Sequence, residues 1–378
     1  MIETPTIPLV KEKILPLLQL RFPDITFVSK IRDDQQVKNV IKSSFVTGDA
    51  VDIVAFWPHQ MRYFIDDGMA LDLTPYLEAD PDWWDSWLPG ILEDGRFEGK
   101  QYALPYRISY PLFLVNRDIA RQAELVLKDQ WTWDEFIQAC EQIKTRCSDA
   151  VYPLGINAIW ACWFIRNGLM QIWDTDNELE AFTRGEIPFT NPRIKQAFEK
   201  VKALYDNKYL YPGVGALTAT YDQTFSAFAR GKIAFLANVN GNAAAARNAI
   251  APGGFEVGVM SWPAMGKDYL LGGSDGYFIP SNTKHPEKAV EVLKYLTGSE
   301  ILDLNAEEGR ILTFKNIASS HPDYALYSRD AGKVRSREIV NFSAELNDYI
   351  IYNIPAYYIL YGDKAVEELE VLRSTVNP

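Results

Sequence analysis

Apolar residues recur at helical spacing at Val10, Ile14, Leu17 and Leu18, and Phe22-Pro23-Asp24 closes that helix. The segment "ITFVSK" (25–30) then reads as a strand. Helical spacing returns in "QQVKNVIKSSFVTGD" through Val37, Val40 and Ile41. The run "AVDIVAFW" (50–57) is short, apolar and bounded by turn residues, the pattern of a buried parallel strand. "HQMRYFIDDG" predicts a further helix that stops at Gly68. Helices alternating with buried strands predict an α/β domain with a mainly parallel sheet over the first ~110 residues.

From Glu78 to Asp118 the chain is dense in Pro, Gly and aromatic residues. Trp83, Trp84 and Trp87 read there as packing or interlobe residues, and "KQYALPY" and "PLFLVN" as two strands around a bend. Helical signals dominate the middle third. Thr132 followed three residues later by Glu135 is a capping box, and Asn191 with Pro192 marks an N-cap and first helical position. "QTFSAFARGKIAFLANVNG" predicts a helix, a stop at Gly231 and a buried strand, and "FEVGVMSWP" another strand. "HPEKAVEVLKYLTGS" predicts a helix from Pro286 to Gly298. The last ~60 residues alternate polar and aromatic segments and finish in the helix "KAVEELEVLRST".

Length and composition narrow this picture. At 378 residues, 47% hydrophobic and 23% charged, the chain has the size and core material of two globular domains. A net charge of −12 and the absence of a basic run disfavour nucleic acid as a partner. Cys140, Cys147 and Cys162 form no disulfide framework and no metal-ligand spacing, and read as buried small residues. His59, His285 and His321 are too dispersed for a histidine metal centre, and no nucleotide-binding glycine motif is present, so neither metal nor cofactor is expected. No run of eighteen apolar residues occurs. The first residues, "MIETPTIPLVKEK", with Pro5 and Pro8, do not read as a signal peptide, so any targeting segment or lipid-bearing cysteine is expected outside this chain.

Three patterns suggest chemistry. Gly272-Gly273-Ser274-Asp275-Gly276 fits G-x-S-x-G, the nucleophile elbow of serine hydrolases. An elbow needs a helix immediately after the serine. Here Tyr277, Phe278 and Ile279 favour a strand and Pro280 opposes a helix, so a glycine turn entering a strand fits better. Asp174, Asp176 and Glu178 imitate a calcium loop, but Leu179 stands where such a loop needs glycine, leaving a solvated acidic loop. With 50 acids, a glycosidase built on two facing carboxylates stays open as an alternative.

Several segments, taken in order, resemble the extracellular solute-binding proteins of ABC importers, in the sugar-binding family of the maltose-binding-protein type. They are "TGDAVDIVAFW" (47–57, with Val51 where the family usually has Pro), "FEGKQYALPY" (97–106), "PLFLVNRDIARQAEL", "WTWDEFIQACEQI", "FARGKIAFLANVNG", "LLGGSDGYFIPSNTKHPEKAVEVLKYLTGSE" and "EEGRILTFKN". One departure concerns the family's opening hydrophobic strand, for which only Ile2 to Thr4 is available.

The resemblance implies a two-lobed α/β fold of the periplasmic-binding-protein type II, with three interdomain crossings and a ligand cleft between the lobes. It puts the crossings near Arg107–Leu112, Leu271–Gly276 and Ile311–Lys315. Lobe one is then 1–108 plus 276–311, and lobe two 112–271 plus 315–378. The implied function is extracytoplasmic binding of a mono- or oligosaccharide, without catalysis, by a monomer that closes on its ligand by hinge motion and delivers it to the membrane permease subunits of an ABC importer. The alternatives are a hydrolase, or a binding protein for an acidic sugar, a glycerophosphodiester or a peptide.

Position within that frame selects the ligand-binding candidates. Trp57 stands at the carboxyl end of a strand, where open α/β sheets bind ligands. Arg107 and Tyr110 flank the first crossing. Trp160 and Trp163 occupy the region of lobe-two aromatics, although three-residue spacing on a helix also suits a core stripe. Asn240 and Asn242 follow a strand, and Trp262, Ser274, Asp275 and Arg310 lie near the later crossings. If Arg107 and Arg310 both face the cleft, an acidic sugar or sugar phosphate becomes attractive.

Overall fold

The computed structural model describes residues 2–3, 9–31, 34–250, 253–335, 338–339 and 341–376. The chain divides into two compact units, 1–109 with 273–321 and 110–272 with 322–378, and passes between them after Ser109, Gly272 and His321. The third passage therefore lies beyond the expected Ile311–Lys315. Backbone hydrogen bonds explain why: Leu88 N–H donates to Thr313 O and Lys315 N–H to Ser86 O, tying that segment to the first unit.

The first unit holds strands β1 (Ile2–Glu3), β2 (Lys30–Ile31), β3 (Val54–Phe56), β4 (Arg96–Phe97), β5 (Lys100–Gln101) and β6 (Ala103–Ser109). The second contributes β7 (Pro111–Asn116), β8 (Tyr152–Gly155), β9 (Ile233–Val239) and β10 (Val257–Ser261), and the returning chain adds β11 (Gly273–Phe278) and β12 (Ile311–Leu312) to the first. The main sheet of the first unit runs β12-β6-β11-β3-β1-β2. It is mixed rather than mainly parallel. β1 pairs in parallel with β2 and β3, but β11 is antiparallel to both β3 and β6, because it enters from the second unit in the opposite sense. The second unit's sheet, β10-β7-β9-β8, is parallel only between β8 and β9.

Alternation along the strands distributes the first unit's core over both faces of its sheet. Val54, Phe56 and Phe278 pack with Val37, Ile41 and Phe64 on one side. Ala55, Leu104 and Tyr277 pack with Trp83, Trp87 and Leu293 on the other. Trp83 and Trp87 are anchored by their indole N–H groups, to Thr297 Oγ1 at 3.0 Å and Pro105 O at 2.6 Å. The second unit is organised around aromatic rings: Phe113 stacks on Phe136 and Trp262, with ring centroids 5.3 and 4.8 Å apart.

Caps and prolines explain most helix limits. Thr132 and Glu135 form their reciprocal capping box at the start of Trp133–Arg146, and Asn191 accepts from Arg193 N–H at the start of Pro192–Asp206. Gly231, at φ +70°, ends Tyr221–Ala229. Two helices open with a wide π turn, Val10–Ile14 and Tyr349–Asn353. Each precedes a helix with proline at its second residue, Pro16 or Pro355. Proline has no N–H to give the carbonyl four residues back, and its ring crowds that carbonyl, so the turn before it opens.

The strand expected over 25–30 reduces to Lys30–Ile31, which pairs with Ile2 and Glu3 of β1; Thr4, expected in that first strand, lies outside the described residues. Residues 25–29 keep a strand-like alternation, with Ile25 and Phe27 against the core and Val28 exposed. The acidic loop at Asp174 is largely a helix start: Thr175 and Glu178 make a capping box, Asp174 pairs with Arg193, and Asp176 pairs with Lys267. Among the described residues, no helix is long and apolar enough to cross a membrane.

Thr132→Ala should remove the cap of Trp133–Arg146 and cost about 1 kcal/mol of stability. Urea unfolding of the variant with an unchanged slope checks this.

Candidate functional site

In the first unit, β3 ends at Phe56 and the chain turns sharply through Trp57 into the short helix Pro58–Gln60. The Trp57 indole is half-buried, packs against Phe56 at 5.9 Å and lies nearly parallel to the His59 ring. This turn rests on Gly276 of β11. A methyl group there would meet Pro58 Cγ at 2.5 Å and Leu104 O at 2.8 Å, so glycine is needed for the close approach.

Neighbouring β11 residues hold separate polar contacts. Ser274 is buried and its hydroxyl donates to Asp94 Oδ2 at 2.7 Å. Burial raises the Asp94 carboxyl above its usual range, against the lowering effect of the Ser274 hydrogen bonds. Ser274 thus lies inside a strand beside a carboxylate, without the strand-turn-helix setting of a nucleophile elbow. Asp275 faces Arg107 across the β11–β6 ladder and accepts from Arg107 Nε at 2.5 Å. The Arg107 guanidinium also lies over the Tyr106 ring, 5.5 Å from its centroid. Arg310 precedes β12, on the other side of β6, and its Nη1 donates to Asn305 Oδ1 at 3.0 Å.

In the second unit, Tyr110 and Asn240 hold each other: Tyr110 N–H donates to Asn240 Oδ1 at 3.0 Å and Asn240 N–H to Tyr110 O at 3.1 Å. Tyr110 is buried and its hydroxyl donates to Tyr327 O. Both residues therefore brace the start of the second unit. Trp160 and Trp163 are half-buried and stacked, 4.4 Å apart at 16°. Asn157 Oδ1 accepts from Trp160 N–H and fixes the entry to their helix. Tyr221 meets Trp160 edge-on at 5.2 Å and stacks on Phe225. Trp262 lies beneath Trp163, fully buried, and none of it reaches solvent. Asn242 Nδ2 donates to Asn238 Oδ1 at 2.9 Å, and the Asn238 amide adjoins the Tyr221 hydroxyl.

The candidates thus gather within each unit into two sets: Trp57, Arg107, Ser274, Asp275 and Arg310 in the first; Tyr110, Trp160, Trp163, Asn240, Asn242 and Trp262 in the second. The sequence reading missed Asp94, Tyr221, Phe225 and Asn238. Tyr221 and Phe225 were legible in principle, because the Thr220–Gln223 capping box starts a helix at Tyr221 and puts both rings, four residues apart, on one face. A separate cavity of about 550 Å³ in the first unit is lined by residues such as Phe27, Val51 and His285, and none of these candidates line it.

Residues 11–301 match the family model described as bacterial extracellular solute-binding protein. The chain belongs to this family. This solute-binding protein is 20% identical, over 89% of its length and 76% of the relative's, to an uncharacterized ABC transporter extracellular-binding protein of Pyrococcus horikoshii. A structure from work on xylan utilization by the thermophilic bacterium Caldanaerobius polysaccharolyticus superposes with TM-score 0.82 at 18% identity, covering 98% of each chain. The solute-binding protein RafE in complex with raffinose gives 0.80 at 19%, covering 100% of this chain and 99% of its own. Such likeness gives the solute-binding protein the type II periplasmic binding fold.

Two outcomes follow from the first unit. Gly276→Ala should cost roughly 1–3 kcal/mol, the range of an overpacked site, seen as a lower urea midpoint. The Asp94 carboxyl has a folded-state pKa above its unfolded one, so its contribution to stability is fullest below the unfolded value and is lost as pH rises through the folded value. Asp94→Asn should therefore gain stability relative to the parent between pH 3 and pH 7, measured by thermal unfolding at each pH.

Proposed function

We propose that the protein is the extracytoplasmic carbohydrate-binding component of an ABC importer, working as a monomer and closing by hinge motion on a mono- or oligosaccharide without altering it. The observation that carries this reading is the partly exposed aromatic surface of the second unit. Trp160 and Trp163 are stacked there, Tyr221 and Phe225 extend them, and the Asn238–Asn242 amide pair adjoins Tyr221. A pyranose has apolar C–H faces that pack on aromatic rings, and hydroxyls that need placed donors and acceptors. Membership of the solute-binding family and structural likeness to a raffinose complex support the same ligand class.

In this reading the sugar favours the closed state only through contacts it makes to both units, and permease subunits of the importer recognise that state. The hydrolase alternative loses support, since the Ser274 hydroxyl is bound to Asp94 within a strand.

Titration with a panel of neutral and acidic oligosaccharides should change tryptophan fluorescence saturably and raise the unfolding temperature by mass action. Chromatography should return the sugar unchanged. Trp160→Ala should weaken binding by tenfold or more, while far-UV circular dichroism stays the same. Release of product from the sugar, or a panel with no binder, contradicts the reading.

A further inference from the structure

The first unit contains a buried cation without an ion-pair partner among the described residues. Arg310 retains only 6% of its surface and has no carboxylate within ion-pair reach among the described residues. Its single side-chain hydrogen bond goes from Nη1 to the neutral amide of Asn305, and its buried Nε has no partner. Arg107 is similarly buried, at 8%. It is paired through Nε alone, to Asp275, so its two Nη groups have no hydrogen-bond partner among the described residues.

The strand register brings the two arginines together. β12 pairs with β6 so that Ile311 faces Ile108 and Leu312 faces Arg107, and Arg310 directly precedes that pairing. Proximity is felt electrostatically. Burial, and after it the charge of Arg107, pull the Arg310 guanidinium down to about 10. Asp275 is held by Arg107, and Glu308 acts on Arg310 only from beyond ion-pair distance, so Arg310 is a buried cation without an ion pair among the described residues, where a positive charge is costly. A structural role alone would be met by a neutral side chain or by a second acid.

From this geometry we infer that Arg310 and Arg107 form an oxyanion subsite, and that the saccharide carries a carboxylate, phosphate or sulfate group which completes it. This rests on the carbohydrate reading above and narrows it to acidic sugars. Guanidinium forks offer paired N–H donors that match such oxyanions, and a fixed donor of this kind does not suit a sugar hydroxyl equally well. Asp275 orients Arg107 from its Nε side, so that the Nη edge is the one left for ligand. A neutral sugar would leave the Arg310 charge unpaired in the complex, which builds in discrimination against it.

Matched pairs test the inference by calorimetry on the full chain at 150 mM salt: a uronic-acid oligosaccharide against its carboxyl-reduced counterpart, a hexose 6-phosphate against its parent hexose, and a sulfated oligosaccharide against its desulfated form. The expected result is at least tenfold tighter binding of the charged member in one pair, and that pair identifies the oxyanion. Arg310→Met should abolish that preference by weakening the charged member to the level of the neutral one, and its unfolding temperature should not fall, since an unpaired buried charge is removed. Equal binding of charged and neutral members in all three pairs overturns the inference but leaves the carbohydrate reading standing. So does a loss of both affinities together in Arg310→Met. Absence of binding by any member overturns both. The comparison within the parent protein decides the matter even if the variant fails to fold.

Discussion

Strand β11 is hydrogen-bonded on both sides, to β3 and to β6, and runs antiparallel to each. Residues from far along the chain are thereby inserted into the middle of the first unit's sheet. Their alternation then dictates what each can do. Ser274 meets Asp94, Asp275 meets Arg107, and Gly276 leaves room for the turn that carries Trp57. A bulge between Asp275 and Gly276 changes the register at that point, so polar pairing gives way to the packing of Tyr277 on Tyr106 and of Phe278 on Phe64. The glycine-rich motif that imitates a catalytic turn is the means by which one strand serves a sheet, an ion pair and a loop.

Local signals were legible because local chemistry decides them. Thr132 with Glu135, Asn191 with Pro192, and Gly231 each satisfy or stop a helix end within a few residues, and the structure uses them so. Short apolar runs likewise revealed β3, β6, β7, β9 and β10. What failed depended on partners. The sequence "ITFVSK" has the composition of a strand, yet a ladder needs a neighbour, and of the segment's described residues only Lys30, with Ile31 after it, pairs with β1. The direction of β11 could not be read from its residues either, since antiparallel entry follows from the path of the chain.

The site shows the same division. Position marked Arg107 and Asp275 as separate candidates; that they pair, 168 residues apart, is a fact of register. Tyr110, Asn240 and Trp262 lie near expected crossings or strand ends, and each is engaged within its own unit. The indole of Trp262 stacks on Phe113 in the aromatic core and supports Trp163 from below. A layer above that core, Trp160 and Trp163 with Tyr221 and Phe225, keeps ring surface accessible. Sequence alone does not distinguish these layers, because a tryptophan that supports and a tryptophan that touches have the same hydropathy and differ only in depth.

An acidic ligand and an acidic protein are compatible on grounds of distance. The chain carries a net charge of −12, which at low salt repels an approaching anion. At physiological ionic strength that repulsion decays over about 8 Å, so charges spread over the surface contribute little at a particular buried point. In the proposed subsite, the buried Arg107 and Arg310 would act at hydrogen-bond range and away from screening water, where a fixed donor counts for more. In that proposal the surface charge would govern the rate of encounter and its salt dependence, and the arginines would govern affinity. Association of an oxyanion-bearing sugar would accelerate as salt is raised, while dissociation from the buried arginines would respond much less. That combination is opposite in sign to ordinary electrostatic steering, and follows only when the local cation and the global charge disagree.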